Sequence, residues 1–470
     1  MPRLALVGLL LLLVLWMIGG PVAFVPLIPA GFLILYISKG FFGAFISPWS
    51  VYMSAWLVML LLYLPPVFFL PELRMETYFA IILSSFTFSA GSFWGYRRAH
   101  INGFSTRANS SEFSSIVSPR QVLSFAGILM LVGLVGVALT WRTISSVTQI
   151  FSLQDAMGNL GTINDTVLDR DFGSFGIAGR LSVLPILAAV LALIGGMLYL
   201  QHLHKRDERM HRRPVLLYGP ILFALVTFVV SITVNTLNTR RGGVVLLLAW
   251  SSLVLLFYVE RQRGLRASSL LIIGSIVVVF SLLFSMTQTY LGKDAIIRFP
   301  VYVLDLQLPG WLVDQAFYIN GNLATLQGYL TQAPDWSFGA RTFDVFYLAL
   351  QRFLPGQMQS FSRSVEPIFL SFHYNTSPYL WYVYQDWGWF GIVLFPILVG
   401  WVGSNLFARF QRDRSPIGSL LMCGLFSTAL ALTIRGNMFG QYDFWTLLLA
   451  VFLSSRILER PAPRAINPQQ

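Results

Sequence analysis

Three arginines and one histidine carry the first chemical signal in this sequence. Arg240 and Arg241 stand in Asn235-Thr-Leu-Asn-Thr-Arg-Arg-Gly-Gly243 between two apolar runs, and Arg435 follows the apolar run Ile417 to Ile434. A guanidinium keeps its charge and grips phosphate through two parallel hydrogen bonds. The neighbouring glycines let a ligand approach the backbone. The chemistry that fits is a clamp on a membrane-borne pyrophosphate; the plain alternative is snorkelling to headgroups or pairing with a loop aspartate. His373 lies just before another apolar run. An imidazole titrates near neutral pH and is the side chain most easily poised to take a proton from a reacting hydroxyl, although a lone loop histidine also serves structure.

Other clusters read more blandly. His100, His202, His204 and His211 lie in basic stretches, and the last three are interleaved with Lys and Arg that repel a metal cation. Asp169-Arg170-Asp171 resembles the paired-carboxylate metal motif of some glycosyltransferases, but a solvated loop explains it more simply. Asp314, Asp335, Asp344 and Glu366 each suit a base or an arginine partner, and sequence does not rank them. The single cysteine, Cys423, excludes an intrachain disulfide and any cysteine-based metal site. No Gly-rich phosphate loop ending in Lys-Ser/Thr is present, so direct use of ATP is not expected. Neither a metal nor another cofactor is expected.

The elements that must position these groups are membrane helices. Of 470 residues 56% are hydrophobic and 11% charged, with mean hydropathy +0.67, too little charge for a soluble globule of this length. Apolar runs suggest about twelve crossings: Leu4 to Ile18, Pro21 to Ile37, Trp49 to Leu70, Thr77 to Trp94, Val122 to Trp141, Leu181 to Leu200, Val215 to Val234, Gly243 to Val259, Ala267 to Met286, Gly388 to Phe407, Ile417 to Ile434 and Tyr442 to Ile457. The first run, after Arg3 and before a Pro-Val-Ala stretch ending at Ala23, also reads as a signal peptide. Its removal leaves the orientation of the rest unchanged.

Alternate loops gather twenty of the 32 Lys and Arg residues. Because cytoplasmic loops are enriched in them, both termini are expected in the cytoplasm. The net charge of +12 is thus a matter of topology, and no separate basic domain exists to bind nucleic acid. Arg240, Arg241, Arg435 and His373 then fall outside. So do two long connections, 142–180 and 287–377, the second rich in Trp, Tyr and Phe and expected to fold on the membrane as short amphipathic helices. Its aromatic rings suit interfacial anchoring or stacking on sugar faces. The cores of the proposed spans hold essentially no Asp, Glu or Lys, which argues against an ion-coupled transporter.

In Asn238-Thr-Arg-Arg-Gly242, the large outer loop, and His373-Tyr-Asn-Thr-Ser-Pro-Tyr-Leu380 running into Tyr384-Gln-Asp-Trp-Gly-Trp-Phe-Gly391, the chain resembles the bacterial O-antigen or oligosaccharide repeat-unit polymerases (Wzy-type), relatives of the O-antigen ligases. The resemblance covers most of the chain, mainly as architecture. It implies an all-α polytopic fold on a GT-C-like glycosyltransferase scaffold in the bacterial inner membrane. It also implies extracytoplasmic transfer of a glycan from undecaprenyl pyrophosphate to another lipid-linked unit, without a nucleotide sugar or required metal. Arg240, Arg241 and Arg435 would stabilise the pyrophosphate, and His373 or a nearby carboxylate would activate the acceptor hydroxyl. Arg298, Arg341, Thr376 and Asp386 would contact substrate. Membrane lipids and a chain-length regulator are the other implied partners. The sequence departs from the Arg-x10-Gly pattern of some members, since Arg298 to Gly310 has one residue too many. Ligase-type transfer, or a lipid-oligosaccharide flippase, stays open as an alternative.

Overall fold

The computed structural model describes residues 9, 27–61, 63, 73–101, 118–149, 176–205, 214–237, 241–263, 302–303, 306–307, 310–353, 368–369, 373–374, 377–413 and 417–458. In chain order these form α1 (Leu27–Phe42), α2 (Pro48–Leu61), α3 (Met75–Ile101), α4 (Pro119–Thr148), α5 (Gly176–Leu181), α6 (Leu184–Lys205), α7 (Pro214–Leu237) and α8 (Arg241–Arg263). A two-residue ladder of β1 (Tyr302–Val303) and β2 (Leu306–Gln307) follows, then α9 (Gly310–Leu330) and α10 (Asp344–Phe353). A second ladder pairs β3 (Ile368–Phe369) with β4 (His373–Tyr374), and α11 (Tyr379–Arg412), α12 (Ile417–Ala431), two 3-10 turns (Leu432–Ile434 and Met438–Gly440) and α13 (Tyr442–Leu458) complete the order.

Six helices among the described residues are long and apolar enough to cross a membrane: Pro119–Ser146, Ile177–Gln201, Tyr218–Thr236, Gly242–Gln262, Tyr379–Arg412 and Ile417–Ile434. The chain is a helical membrane protein. Each of the six coincides with an expected span. Pro29–Phe42 and Pro48–Leu61 are apolar but shorter among the described residues, and residues 21–26, 62 and 64–70 of the expected Pro21 to Ile37 and Trp49 to Leu70 lie outside them. At Thr77 to Trp94 the 27-residue α3 is long enough to span, but its hydroxyl-bearing residues lower its hydropathy and it is not among the six. The 17-residue α13 covers the whole of the expected Tyr442 to Ile457 but is not among the six. The expected spans Leu4 to Ile18 and Ala267 to Met286 lie outside the described residues, Leu9 excepted.

The chain divides into two compact units, one of Met1–Ser105, Arg263–Arg409 and Leu425–Trp445, the other of Thr106–Gln262, Phe410–Gly424 and Thr446–Gln470. In the second, α4 and α7 both pack along α6. The apolar stretch of α6 is 83% buried and that of α4 only 28%, so α6 is the interior helix. Ile128, Leu131, Val135 and Leu139 make an exposed stripe at helical spacing on α4, the face a lipid solvent requires. Arg261 donates from its guanidinium to the carbonyl oxygens of Phe410 and, at 2.8 Å, Asp413, satisfying backbone acceptors at the end of α11.

In the first unit, α3 and α11 approach backbone to backbone. A Cβ on Gly91 would lie 2.1 Å from the Ile397 carbonyl oxygen, one on Gly95 2.6 Å from that of Trp401, and one on Gly400 2.4 Å from that of Phe88. Small residues at such crossings bring membrane helices into van der Waals contact that larger ones forbid. The hydroxyls of Ser84, Thr87 and Ser89 return to carbonyls three or four residues earlier in α3, as apolar surroundings require. Ser89 also accepts Trp49 Nε1 at 2.8 Å, and the buried Tyr52 and Tyr379 hydroxyls meet at 2.8 Å. The large connection departs from the expectation of short amphipathic helices only. The ten-residue α10 is one, but α9 runs for 21 residues, and its second half is buried from Asn320 through Leu326. Its Gln327 side chain accepts the Arg74 N–H at 2.7 Å.

Candidate functional site

The start of α11 decides the site. Ser377-Pro378 precede its first residue, Tyr379, and proline cannot supply the N–H that a helix interior needs, which suits it to this end of the helix. The helix therefore begins nine residues before the expected Gly388, and Gln385 and Asp386 lie in its second turn with 3% and 0% exposure. The candidate span Tyr379–Arg412 thus carries a carboxylate near its first end, ahead of the expected core Gly388 to Phe407. At Gly388 the backbone takes φ 57°, ψ −144°, a conformation essentially reserved for glycine, and the helix kinks.

The segment joining α9 to α10 is laced onto that turn. The Tyr384 hydroxyl donates to the Gln332 carbonyl at 3.1 Å, and the Asp335 N–H donates to Gln385 Oε1 at 3.1 Å. The Phe338 N–H reaches the Asp386 carbonyl oxygen at 3.2 Å. The Asp386 carboxylate accepts three more donors, the Ser337 hydroxyl, the Arg341 N–H at 3.0 Å and the Thr342 N–H at 2.6 Å. Within this segment Trp336 and Phe338 adopt φ 54° and 47°, left-handed values that cost a bulky residue about 1–3 kcal/mol each and persist only where surroundings over-determine them. Phe338 is 78% exposed, and Trp336 stacks close to Gly388, where a Cβ would come within 3.4 Å of its ring.

Arg341 is the cation this scaffold presents. Its Nη2 lies 2.5 Å from Asp335 Oδ2, and its guanidinium sits 5.2 Å from the centre of the buried Trp381 ring, a cation–π distance. The Arg341 side chain is 16% exposed and Asp335 42%, so the pair lies at the protein surface. Tyr329 packs against Trp381 with ring centres 5.0 Å apart, and Tyr382 follows at 4.4 Å.

A second segment joins from the turn after α12. Asn437 Nδ2 donates to the Thr342 carbonyl at 2.7 Å and more weakly to that of Arg341 at 3.5 Å. Gly440 allows the approach, since a Cβ there would stand 3.0 Å from Asn437 Nδ2 and 3.2 Å from the Thr342 oxygen. Two residues before Asn437, Arg435 closes the first 3-10 turn with its N–H on the Leu432 carbonyl at 2.9 Å. The segments bearing Arg341 and Arg435 are thus joined by hydrogen bonds. The N-terminus of one membrane helix and the C-terminus of the next place them.

Of the expected site residues, Arg341, Arg435 and Asp386 fall into this assembly. Asp386 faces inward, its carboxylate engaged by the loop. His373 stands in β4, paired with Phe369, and Arg241 opens α8, but their side chains lie outside the described residues. Arg240, Arg298 and Thr376 lie wholly outside them, as does the Asp169-Arg170-Asp171 triplet. Among the described residues no three metal-ligating side chains cluster. Sequence reasoning left Asp335 unranked among four carboxylates and passed over Trp381, Ser337 and Asn437. The Gly436-Asn437 pair directly after Arg435 was the signal available for the last of these.

No family model matches this chain, and neither does any curated protein or solved structure. The functional reading rests on the residues themselves.

Proposed function

We propose that the protein is a membrane glycosyltransferase of the bacterial inner membrane. It polymerises oligosaccharide repeat units carried on undecaprenyl pyrophosphate, on the extracytoplasmic face. About twelve spans on a GT-C-like scaffold, with both termini cytoplasmic, belong to the same proposal. The observation that supports it most is that Arg341 and Arg435 stand on segments held together by Asn437 at the end of two membrane helices. The charge pattern of the loops supports an outside location for that end.

In the reaction, the C–O bond between the donor's terminal sugar and its pyrophosphate breaks. The acceptor hydroxyl oxygen forms the new glycosidic bond, and its proton passes to a base, His373 or a loop carboxylate. Negative charge grows on the departing lipid pyrophosphate. Fixed guanidinium groups stabilise that charge where it develops, with no reorganisation at the moment of reaction. Exposed Trp336 and Phe338 beside Arg341 supply flat apolar faces of the kind that pack against sugar rings.

The test is reconstitution of the purified protein with lipid-linked repeat units, with the lengths of the products read on a gel. A ladder of polymer that disappears with Arg435→Ala is expected, with single repeats left on their carrier. Transfer of glycan only to a non-glycan acceptor would move the assignment to a ligase. Transport without any new glycosidic bond would sink the enzymatic reading.

A further inference from the structure

Consecutive residues of α11, Gln385 and Asp386, hold the backbones of both members of the ion pair at the site. Gln385 Oε1 accepts the Asp335 N–H, and Asp386 Oδ1 accepts the Arg341 N–H. The two held residues are the ones whose side chains meet at 2.5 Å. We propose that Asp386 is a positioning residue: it touches no ligand, but sets the segment from Asp335 to Thr342 so that the Arg341 guanidinium meets the lipid pyrophosphate in one geometry. This rests on the reading above that Arg341 contacts that group.

Three features carry the assignment. Asp386 is fully buried in a membrane helix, where an acidic group is costly and is retained only with good partners. The hydrogen bonds its carboxylate makes among the described residues are all accepted ones, from the Ser337 hydroxyl and two successive backbone N–H groups. An ionised carboxylate has two acceptor oxygens for such a set, whereas an asparagine amide has one and turns donors against donors. Last, the held segment contains both left-handed aromatic residues, Trp336 and Phe338, so its conformation is imposed from outside rather than preferred locally. A loop needed only as a connection has no use for that strain. A loop that must present a cation at a fixed point does.

The experiment measures the rate at which phenylglyoxal modifies Arg341 in the purified full-length protein, by peptide mass spectrometry, with Arg456 as internal reference. Thermal stability is recorded in parallel. In Asp386→Asn the Arg341 rate is expected to rise about tenfold over the reference, the factor that loss of one hydrogen bond to a charged group corresponds to. Ser337→Ala removes one donor without placing an amide in the membrane, and it is expected to raise the rate less. Ser337→Ala carries the test where Asp386→Asn does not fold. An unchanged Arg341 rate, or a rate that rises equally at Arg456, overturns the proposal. In polymerisation assays, Asp386→Asn added to Arg341→Ala is expected to cause no further loss, and additive losses overturn action through Arg341. Full polymer from Arg341→Ala alone removes the functional reading, while the labelling rates still decide whether Asp386 positions the loop.

Discussion

Arg341 is gripped from three directions, by Asp335 at 2.5 Å, by the Trp381 ring face and through its own N–H by Asp386. Such immobilisation is what electrostatic stabilisation of a leaving group requires, because a cation that must first be ordered gives part of its attraction back as entropy. With expression held equal, Arg341→Ala is expected to reduce polymer formation by about 10²-fold, the usual loss when one oriented donor is removed from a transition state. Arg341→Lys is expected to restore only a small part. An ammonium keeps the charge but not the planar fork or the stacking face over Trp381. Recovery of wild-type product lengths by Lys would show that charge alone suffices.

At the scale of elements, two glycines make sharper demands than any charged residue. Gly388→Ala forces a Cβ into φ 57°, ψ −144° and against Trp336 at 3.4 Å, so a loss of about 1–3 kcal/mol is expected. It should appear as a lower melting temperature in detergent and as faster Arg341 labelling, because the Trp336 segment rests on that kink. Gly91→Ala meets the Ile397 carbonyl at 2.1 Å, with backbone on both sides and no side chain free to yield. The α3–α11 crossing must then open, at a cost typical of overpacking, about 1–3 kcal/mol. Its thermal stability is expected to fall without a selective change at Arg341. Similar melting temperatures for Gly91→Ala and wild type would mean that the crossing is looser than the geometry indicates.

For the whole molecule, the membrane decides which end of each helix meets which solution. In the sequence the basic stretches follow α3, α6 and α8, whereas Arg435 follows α12, and this charge pattern predicts that Arg435 and Arg341 face the outside. A green fluorescent protein fused after Gln470 should therefore fluoresce. Alkaline phosphatase inserted in the 142–180 connection should be active, since it folds only outside the cytoplasm. The reverse pair of results would place the arginine cluster on the cytoplasmic face and remove the lipid-linked glycan as substrate.

The sequence by itself determined the membrane character, and six spans stand where their apolar runs are, because about twenty apolar residues in succession have no other stable solvent than lipid. It also marked Arg435, Arg341 and Asp386 as residues of interest. It was less informative at α3, where hydroxyls that look polar in the sequence are satisfied by the helix's own carbonyls. It misplaced the beginning of α11 by following hydropathy past the Ser377-Pro378 start signal. The tertiary structure alone decided the site, because the partners of Arg341 and its loop lie 6, 45 and 96 residues away, at Asp335, Asp386 and Asn437. No local pattern in a sequence encodes such separations. They are set by helices whose ends meet only after their apolar faces and glycine crossings have been packed.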